Sequence, residues 1–180
     1  MISHRYKCVF FHQRKCAGMS IMKTFNVEPD TPNWIYLNDG ALDLETCLVP
    51  KGYFIFSVVR NPWDRFISGW KFCESTKHLS LEQALRNLPT SGKDYRHLTR
   101  PQYKILYDST GRLIPHYLIR FENLQADYDR VCKQLGKPQR TLPFINKGSR
   151  SGYRDYFDST TRSLFYEHFR EDITRFGYNF

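Results

Sequence analysis

The sequence predicts an α/β fold in three layers, a mostly parallel sheet flanked by helices, from two observations. The strongest apolar run, Tyr53 to Val59, is nearly continuous in hydrophobic residues rather than alternating. That is the composition of a central strand covered on both faces in a parallel sheet. Runs of this kind then alternate along the chain with stretches of helical spacing, the pattern of βα units. No repeat or interdomain linker interrupts them, and 180 residues suit one domain, so a single domain over 1–180 is expected.

In chain order, Lys7 to His12 reads as a buried strand, Gln13 to Ser20 as a loop of small and polar residues, and Met19 to Phe25 as the start of a helix. Trp34 to Leu37 is a short apolar run with strand character, and Leu42 to Leu48 has room for one or two helical turns before Pro50. After Tyr53 to Val59, Asn61 suits a helix N-cap and Pro62 the first helical position. Trp63, Phe66, Ile67 and Trp70 then fall at helical spacing. Ser80 with Gln83 three residues on is a capping-box pattern opening a helix to Leu88. Pro89 to Arg100 is a polar connector, and Asp108 to Gly111 has turn chemistry. Tyr117 to Phe121 is another strand, Leu124 to Leu135 an amphipathic helix stopped by Gly136 and Pro138, and Asn146 to Arg154 a basic loop. Ser159 to Phe176 is helical, and Gly177 ends it.

Composition narrows the function classes. Hydrophobic residues at 41% make the chain globular, and aromatic residues at 16% can build both a core and pockets for flat ligands. A formal net charge of +9 favours anionic partners without choosing among them. The five cysteines, Cys8, Cys16, Cys47, Cys73 and Cys132, form no CxxC pair, so neither a zinc site nor a disulfide framework is expected. No apolar run approaches the roughly 20 residues of a membrane span. The expectation is therefore a cytoplasmic chain without stable membrane insertion, or a Golgi-luminal one if an anchor has been removed.

Two segments carry chemistry. At Gln13 to Ser20 a strand feeds a small-residue loop that feeds a helix, and backbone N–H groups at such a helix start favour an anion. Lys15 adds a full positive charge and Ser20 a hydroxyl, which suits a phosphate cradle in a P-loop-like nucleotide-binding core, with a purely structural turn as the alternative reading. The ATP-type loop is absent, because the lysine precedes the glycine in Lys15-Cys16-Ala17-Gly18-Met19-Ser20. At the second segment, Arg60 follows the central strand and offers a bidentate grip on a phosphate. Ser68, eight positions later, repeats its direction if the helix extends back. Asp64 reads as a first-turn acid favoured by the helix dipole, and Arg65 as a neighbour able to pair elsewhere.

These two segments resemble the PAPS-dependent sulfotransferases (PAPS being 3′-phosphoadenosine-5′-phosphosulfate). The resemblance is to the carbohydrate-type branch that holds the heparan sulfate 2-O-sulfotransferase-like enzymes. Phe10 through Ser20 is similar to that family's 5′-phosphosulfate loop, and Phe56 through Ser68 to its 3′-phosphate motif. Arg120 to Leu124, and the ending from Tyr156 through Asp172 to Tyr178, resemble it as well. The resemblance implies that Lys15 binds the 5′-phosphosulfate and its bridging oxygen, with Cys16, Ala17, Gly18, Met19 and Ser20 adding backbone and hydroxyl contacts. It implies that Arg60 and Ser68 hold the 3′-phosphate, and that Lys147, Ser149 and Arg150 close over it. Arg14 stands where proline is common and Met19 where threonine is common. Met19 removes a hydroxyl, and Arg14 adds a charge.

The implied reaction is in-line sulfuryl transfer from PAPS, as co-substrate, to a hydroxyl acceptor, with a carbohydrate suiting the basic charge. No metal is required. Family members place a histidine or carboxylate base between the two phosphate motifs. Here that interval holds no histidine, and Asp39, after the run Trp34 to Leu37, is the first candidate, with Asp43 and Glu45 behind it. His97 is a substrate-side candidate. The competing readings are a catalytically inactive homologue that binds a nucleotide or glycan, and a P-loop phosphotransferase, which the lysine-before-glycine order disfavours. A nucleic-acid partner is not expected, since no helix-turn-helix or RNA-binding motif is visible.

Overall fold

The computed structural model describes residues 1–26, 49–143 and 152–180. The predicted elements at Trp34 to Leu37 and Leu42 to Leu48, and most of the basic loop 146–154, lie outside the described residues. The chain divides into two compact units, one of Met1–Val59 with Lys104–Asn146, the other of Arg60–Tyr103 with Lys147–Phe180.

The first unit holds a mixed sheet ordered β1-β2-β3-β4, with β1 Ile2–Ser3, β2 Cys8–Phe11, β3 Phe54–Val59 and β4 Tyr117–Arg120. β2 pairs parallel with β3, and β3 with β4, as the continuous apolar runs require. β1 pairs antiparallel with β2 and was not legible in the sequence, because two residues are too short to show a period. The one polar residue inside β3, Ser57, is fully buried, and its hydroxyl donates to Phe11 O at 2.7 Å. The parallel register sets Phe10 opposite Phe56, and their rings stack at 5.0 Å.

Helices α1 (Gly18–Asn26) and α6 (Leu124–Leu135) bury their apolar faces in the same core as these strands. It holds Phe10, Ile21, Phe25, Phe56, Ile119, Tyr128 and Val131. Each such side chain contributes about 1.5–3 kcal/mol on burial. Tyr128 is fully buried and would be costly without a partner. Its hydroxyl meets Thr24 Oγ1 at 2.5 Å, and Thr24 in turn donates to Ile21 O. Gly136 ends α6 at φ 62°, a left-handed position that favours glycine. Burial pushes the Cys8 thiol up to about 12, so it packs as a small apolar group rather than reacting.

The second unit is helical. α2 (Pro62–Trp70) is capped as expected: Asn61 Oδ1 accepts from the N–H groups of Trp63 at 3.0 Å and Asp64 at 3.4 Å. α3 (Leu81–Arg86) carries the expected capping box of Ser80 and Gln83. α7 (Ser159–Phe176) has a second box, from Asp158 and Thr161, and ends at Gly177 with φ 64°. The core is aromatic: Trp63 stacks on Phe165 at 4.1 Å, Phe165 on Phe169 at 4.5 Å, and Phe66 meets both edge-on. The connector expected between Pro89 and Arg100 is instead wound into a turn of helix, α4 (Gly92–Asp94), and a π-helical turn over Tyr95–Thr99. A short α5 (Tyr103–Leu106), in the first unit but for Tyr103, follows. Their polar residues gave no apolar period, and tertiary packing decides the conformation. Among the described residues no helix is long and apolar enough to cross a membrane.

Candidate functional site

The loop of the first unit is built by backbone conformation. Lys15 and Ala17 both sit in the left-handed region, at φ 64° and 55°. Residues with a Cβ enter it at a cost of order 1–3 kcal/mol, and do so where surrounding structure enforces it. Here Cys16, between them, is fully buried in the core, with its thiol directed to Arg14 O at 3.4 Å. Anchoring Cys16 inward forces the flanking residues to curl. Left-handed residues alternating with right-handed ones are the backbone element from which anion-binding concavities are built. Cys16 can offer a ligand only its backbone, since its side chain belongs to the core.

Gly18 opens α1 immediately after this curl. A Cβ there would collide with the His12 imidazole, so any larger residue would displace that ring. His12 itself stacks on Phe10 at 6.2 Å. The helix starts with Ser20 and Ile21 N–H bonded to Ala17 O, at 3.0 and 3.4 Å. Ser20 is buried, Lys15 and Arg14 are half-buried, and Met19 is exposed at 45%. The side chain of Met19 thus points away from the buried face that holds Ser20.

In the second unit, Arg60 precedes the N-cap of α2, so the helix does not extend back to it and its direction is not set by helical repeat with Ser68. It is set by partners. Arg60 Nε and one terminal nitrogen both reach Asp64 Oδ2, at 2.8 Å each. Asp64 therefore does more than complement the helix dipole. The backbone of Arg60 is held at both its groups by one side chain, with Gln102 Oε1 accepting from Arg60 N–H at 3.0 Å and Gln102 Nε2 donating to Arg60 O at 2.9 Å. Ser68 is half-buried on α2. Arg65 is buried, and its guanidinium donates to Arg100 O at 2.8 Å.

His97 lies on the π-helical turn, 7% exposed, with its ring stacked at 4.7 Å beneath the exposed Phe72. The backbone there packs tightly on α2, since a Cβ at Gly69 would approach His97 O to 2.7 Å. Asp39, Asp43 and Glu45, and the loop residues Lys147, Ser149 and Arg150, lie outside the described residues. The residues the sequence reading missed are Gln102 and the helix acid Asp172. Asp172 had a readable signal: it falls on the buried stripe of α7 with Phe165, Phe169, Ile173 and Phe176, where a carboxylate needs a reason. Gln102 had none. Among the described residues no group of three or more His, Cys, Asp or Glu could hold a metal ion.

The described residues form an α/β chain in which a parallel strand leads through a curled loop into a helix. Comparison with known families assigns its class. The model of the Sulfotransferase family matches residues 1–179, and the chain belongs to that family, whose members transfer sulfuryl groups. A relative from Archaeoglobus fulgidus is 29% identical over 111 residues, covering 57% of this chain and 84% of the relative, and is described only as an uncharacterized protein. No solved structure matches the chain significantly.

Proposed function

We propose that the protein transfers the sulfuryl group of PAPS to a hydroxyl acceptor, of which a carbohydrate is the class that best suits the charge of +9. The observation that carries this reading is the curl at Lys15 and Ala17, directly before Gly18 with the His12 ring against it, in a chain matched over nearly its whole length by the sulfotransferase family. A curled backbone at a helix start, with a lysine in it, fits the 5′-phosphosulfate of that substrate. The first unit then supplies a P-loop-like cradle from Arg14 to Ser20. The second supplies Arg60 and Ser68 for the 3′-phosphate, with Lys147, Ser149 and Arg150 closing over it. On this reading residues 1–180 make one sulfotransferase domain.

In the reaction, the acceptor oxygen forms a bond to sulfur while the bond from sulfur to the bridging oxygen breaks. The electron pair stays on the 5′-phosphate of the leaving adenosine 3′,5′-bisphosphate. Lys15 and the first-turn amides of α1 stabilise the charge that grows on that bridging oxygen, and removing one such donor typically costs 10²–10³ in rate. The acceptor proton passes to Asp39, with Asp43 and Glu45 as the next candidates of the same interval. His97 is the substrate-side residue on this reading.

The test is a calorimetric titration of adenosine 3′,5′-bisphosphate into the protein in chelator, beside the Arg60→Ala variant and beside AMP. Micromolar binding that requires both the 3′-phosphate and Arg60 is expected. No binding would mean that both phosphate motifs have been misread, and equal binding of AMP that the 3′-phosphate motif has been.

A further inference from the structure

We propose that Gln102 is a positioning residue for Arg60, itself held by Asp172, so that recognition of a 3′-phosphate depends on two buried residues that need touch no ligand. The inference rests on the reading of Arg60 as the 3′-phosphate residue and goes beyond it.

Arg60 stands directly after the last residue of β3 and before the cap of α2, where neither a strand ladder nor a helix supplies its backbone partners. Gln102 supplies them. Its carboxamide carries one acceptor and one donor side, the same pair that a peptide group presents. Both sides are used on Arg60, at 3.0 Å to its N–H and 2.9 Å from Nε2 to its carbonyl. A single hydrogen bond would leave Arg60 able to pivot, whereas two from one planar group fix its peptide orientation and so the origin of its side chain.

Gln102 is fully buried and is held in its turn. Its own N–H donates to Asp172 Oδ2 at 2.8 Å, and the next N–H, of Tyr103, donates to Asp172 Oδ1 at 2.8 Å. Asp172 is fully buried on α7. Arg65 fastens the same segment from α2, through its bond to Arg100 O. A carboxylate taken wholly out of water to accept two consecutive backbone N–H groups is an expensive way to hold a loop. Apolar packing would serve if position along the chain were all that mattered. What the arrangement adds is orientation, passed from Asp172 to Gln102 to the Arg60 backbone. At the far end Asp64 takes one edge of the guanidinium at 2.8 Å, fixing the plane in which the remaining donors lie.

The test compares adenosine 3′,5′-bisphosphate with AMP, because the two differ only in the group Arg60 is read to hold. In Gln102→Met, close in volume but unable to make either hydrogen bond, affinity for the bisphosphate should fall tenfold or more, with AMP affinity changed less than twofold. Gln102→Glu keeps the acceptor for Arg60 N–H and loses the donor, so its preference should lie between wild type and Gln102→Met. A merely structural role would lower the melting temperature and weaken both nucleotides together, or neither. Either of those outcomes overturns the proposal. Should Gln102→Met not fold, Gln102→Glu decides alone, a wild-type preference refuting the inference and a reduced one supporting it. A wild-type protein that does not distinguish the two nucleotides removes the functional reading itself, and the inference with it.

Discussion

The two segments read as phosphate sites reach their form by opposite means. In the loop of the first unit the determinants are conformational: two left-handed residues, a core-anchored Cys16 between them, and a glycine pressed against His12. At Arg60 the determinants are side-chain hydrogen bonds, from Gln102 on the backbone and Asp64 on the guanidinium. A strained backbone can direct several N–H groups at growing charge without reorganising, which suits a transition state. A paired arginine offers a fixed charge to a group that does not change during the reaction, which suits ground-state binding. The difference suggests a division between chemistry and affinity that experiment can break.

The largest effect should separate the two directly. Lys15→Ala should lower kcat about 10²–10³-fold with little change in KM for PAPS. Arg60→Ala should raise KM about tenfold or more and leave kcat nearly intact. Steady-state release of adenosine 3′,5′-bisphosphate with a panel of glycan acceptors measures both. Two variants that move the same parameter would erase the proposed division.

Next in size is the steric lock of the first loop. Gly18→Ala forces a Cβ into the His12 ring and should cost about 1–3 kcal/mol in urea unfolding, as overpacking does. His12→Ala in the same chain should recover most of that loss. Additive losses would show that the glycine is needed for some other reason.

The pH dependence of two acids on or beside α7 should run in opposite directions. Hydrogen bonds from the N–H and hydroxyl of Thr161 hold the Asp158 carboxyl below its ordinary value. Its folded state binds the proton less tightly than the unfolded chain does. Its contribution is therefore full above the unfolded value, about 3.9, and is lost as pH falls through the folded one. Burial pushes Asp172 the other way, against the Arg65 charge and the N–H groups of Gln102 and Tyr103. Its contribution is full below the unfolded value and declines as pH rises through the raised folded one. The urea midpoint of wild type relative to Asp158→Asn should thus widen as pH rises out of the acid range. Relative to Asp172→Asn it should narrow. Parallel curves would show that the two carboxylates share an environment, contrary to their burial.

The smallest effect tests the strain itself. Ala17→Gly, at φ 55°, should stabilise the first unit by about 0.5 kcal/mol, because glycine adopts that region without a Cβ penalty. A loss of stability would mean that the Ala17 side chain makes contacts worth more than the strain.

Much of this was legible in the chain. Local rules placed α6 and α7 with the bounds observed, since helical patterning and a following glycine act within a few residues of one another. The same holds for the Asn61–Pro62 start of α2 and the Ser80–Gln83 box. Lys15, Gly18 and Arg60 were singled out from their places between strand and helix, and the family match over 1–179 agrees with the class of reaction that the resemblance implied. What the sequence could not decide was everything that depends on distant partners. The left-handed turns at Lys15 and Ala17 follow from burying Cys16 in a core shared with α6, and a tripeptide carries no sign of that. Helical repeat could not orient Arg60, because α2 does not extend back to it and its backbone partner is 42 positions away, at Gln102, which is held in turn by an acid 70 positions further on. Capping and periodicity are set by near neighbours and can be read from a string. Satisfying buried polar groups is a condition on the whole fold, and only the tertiary structure shows which residues meet it.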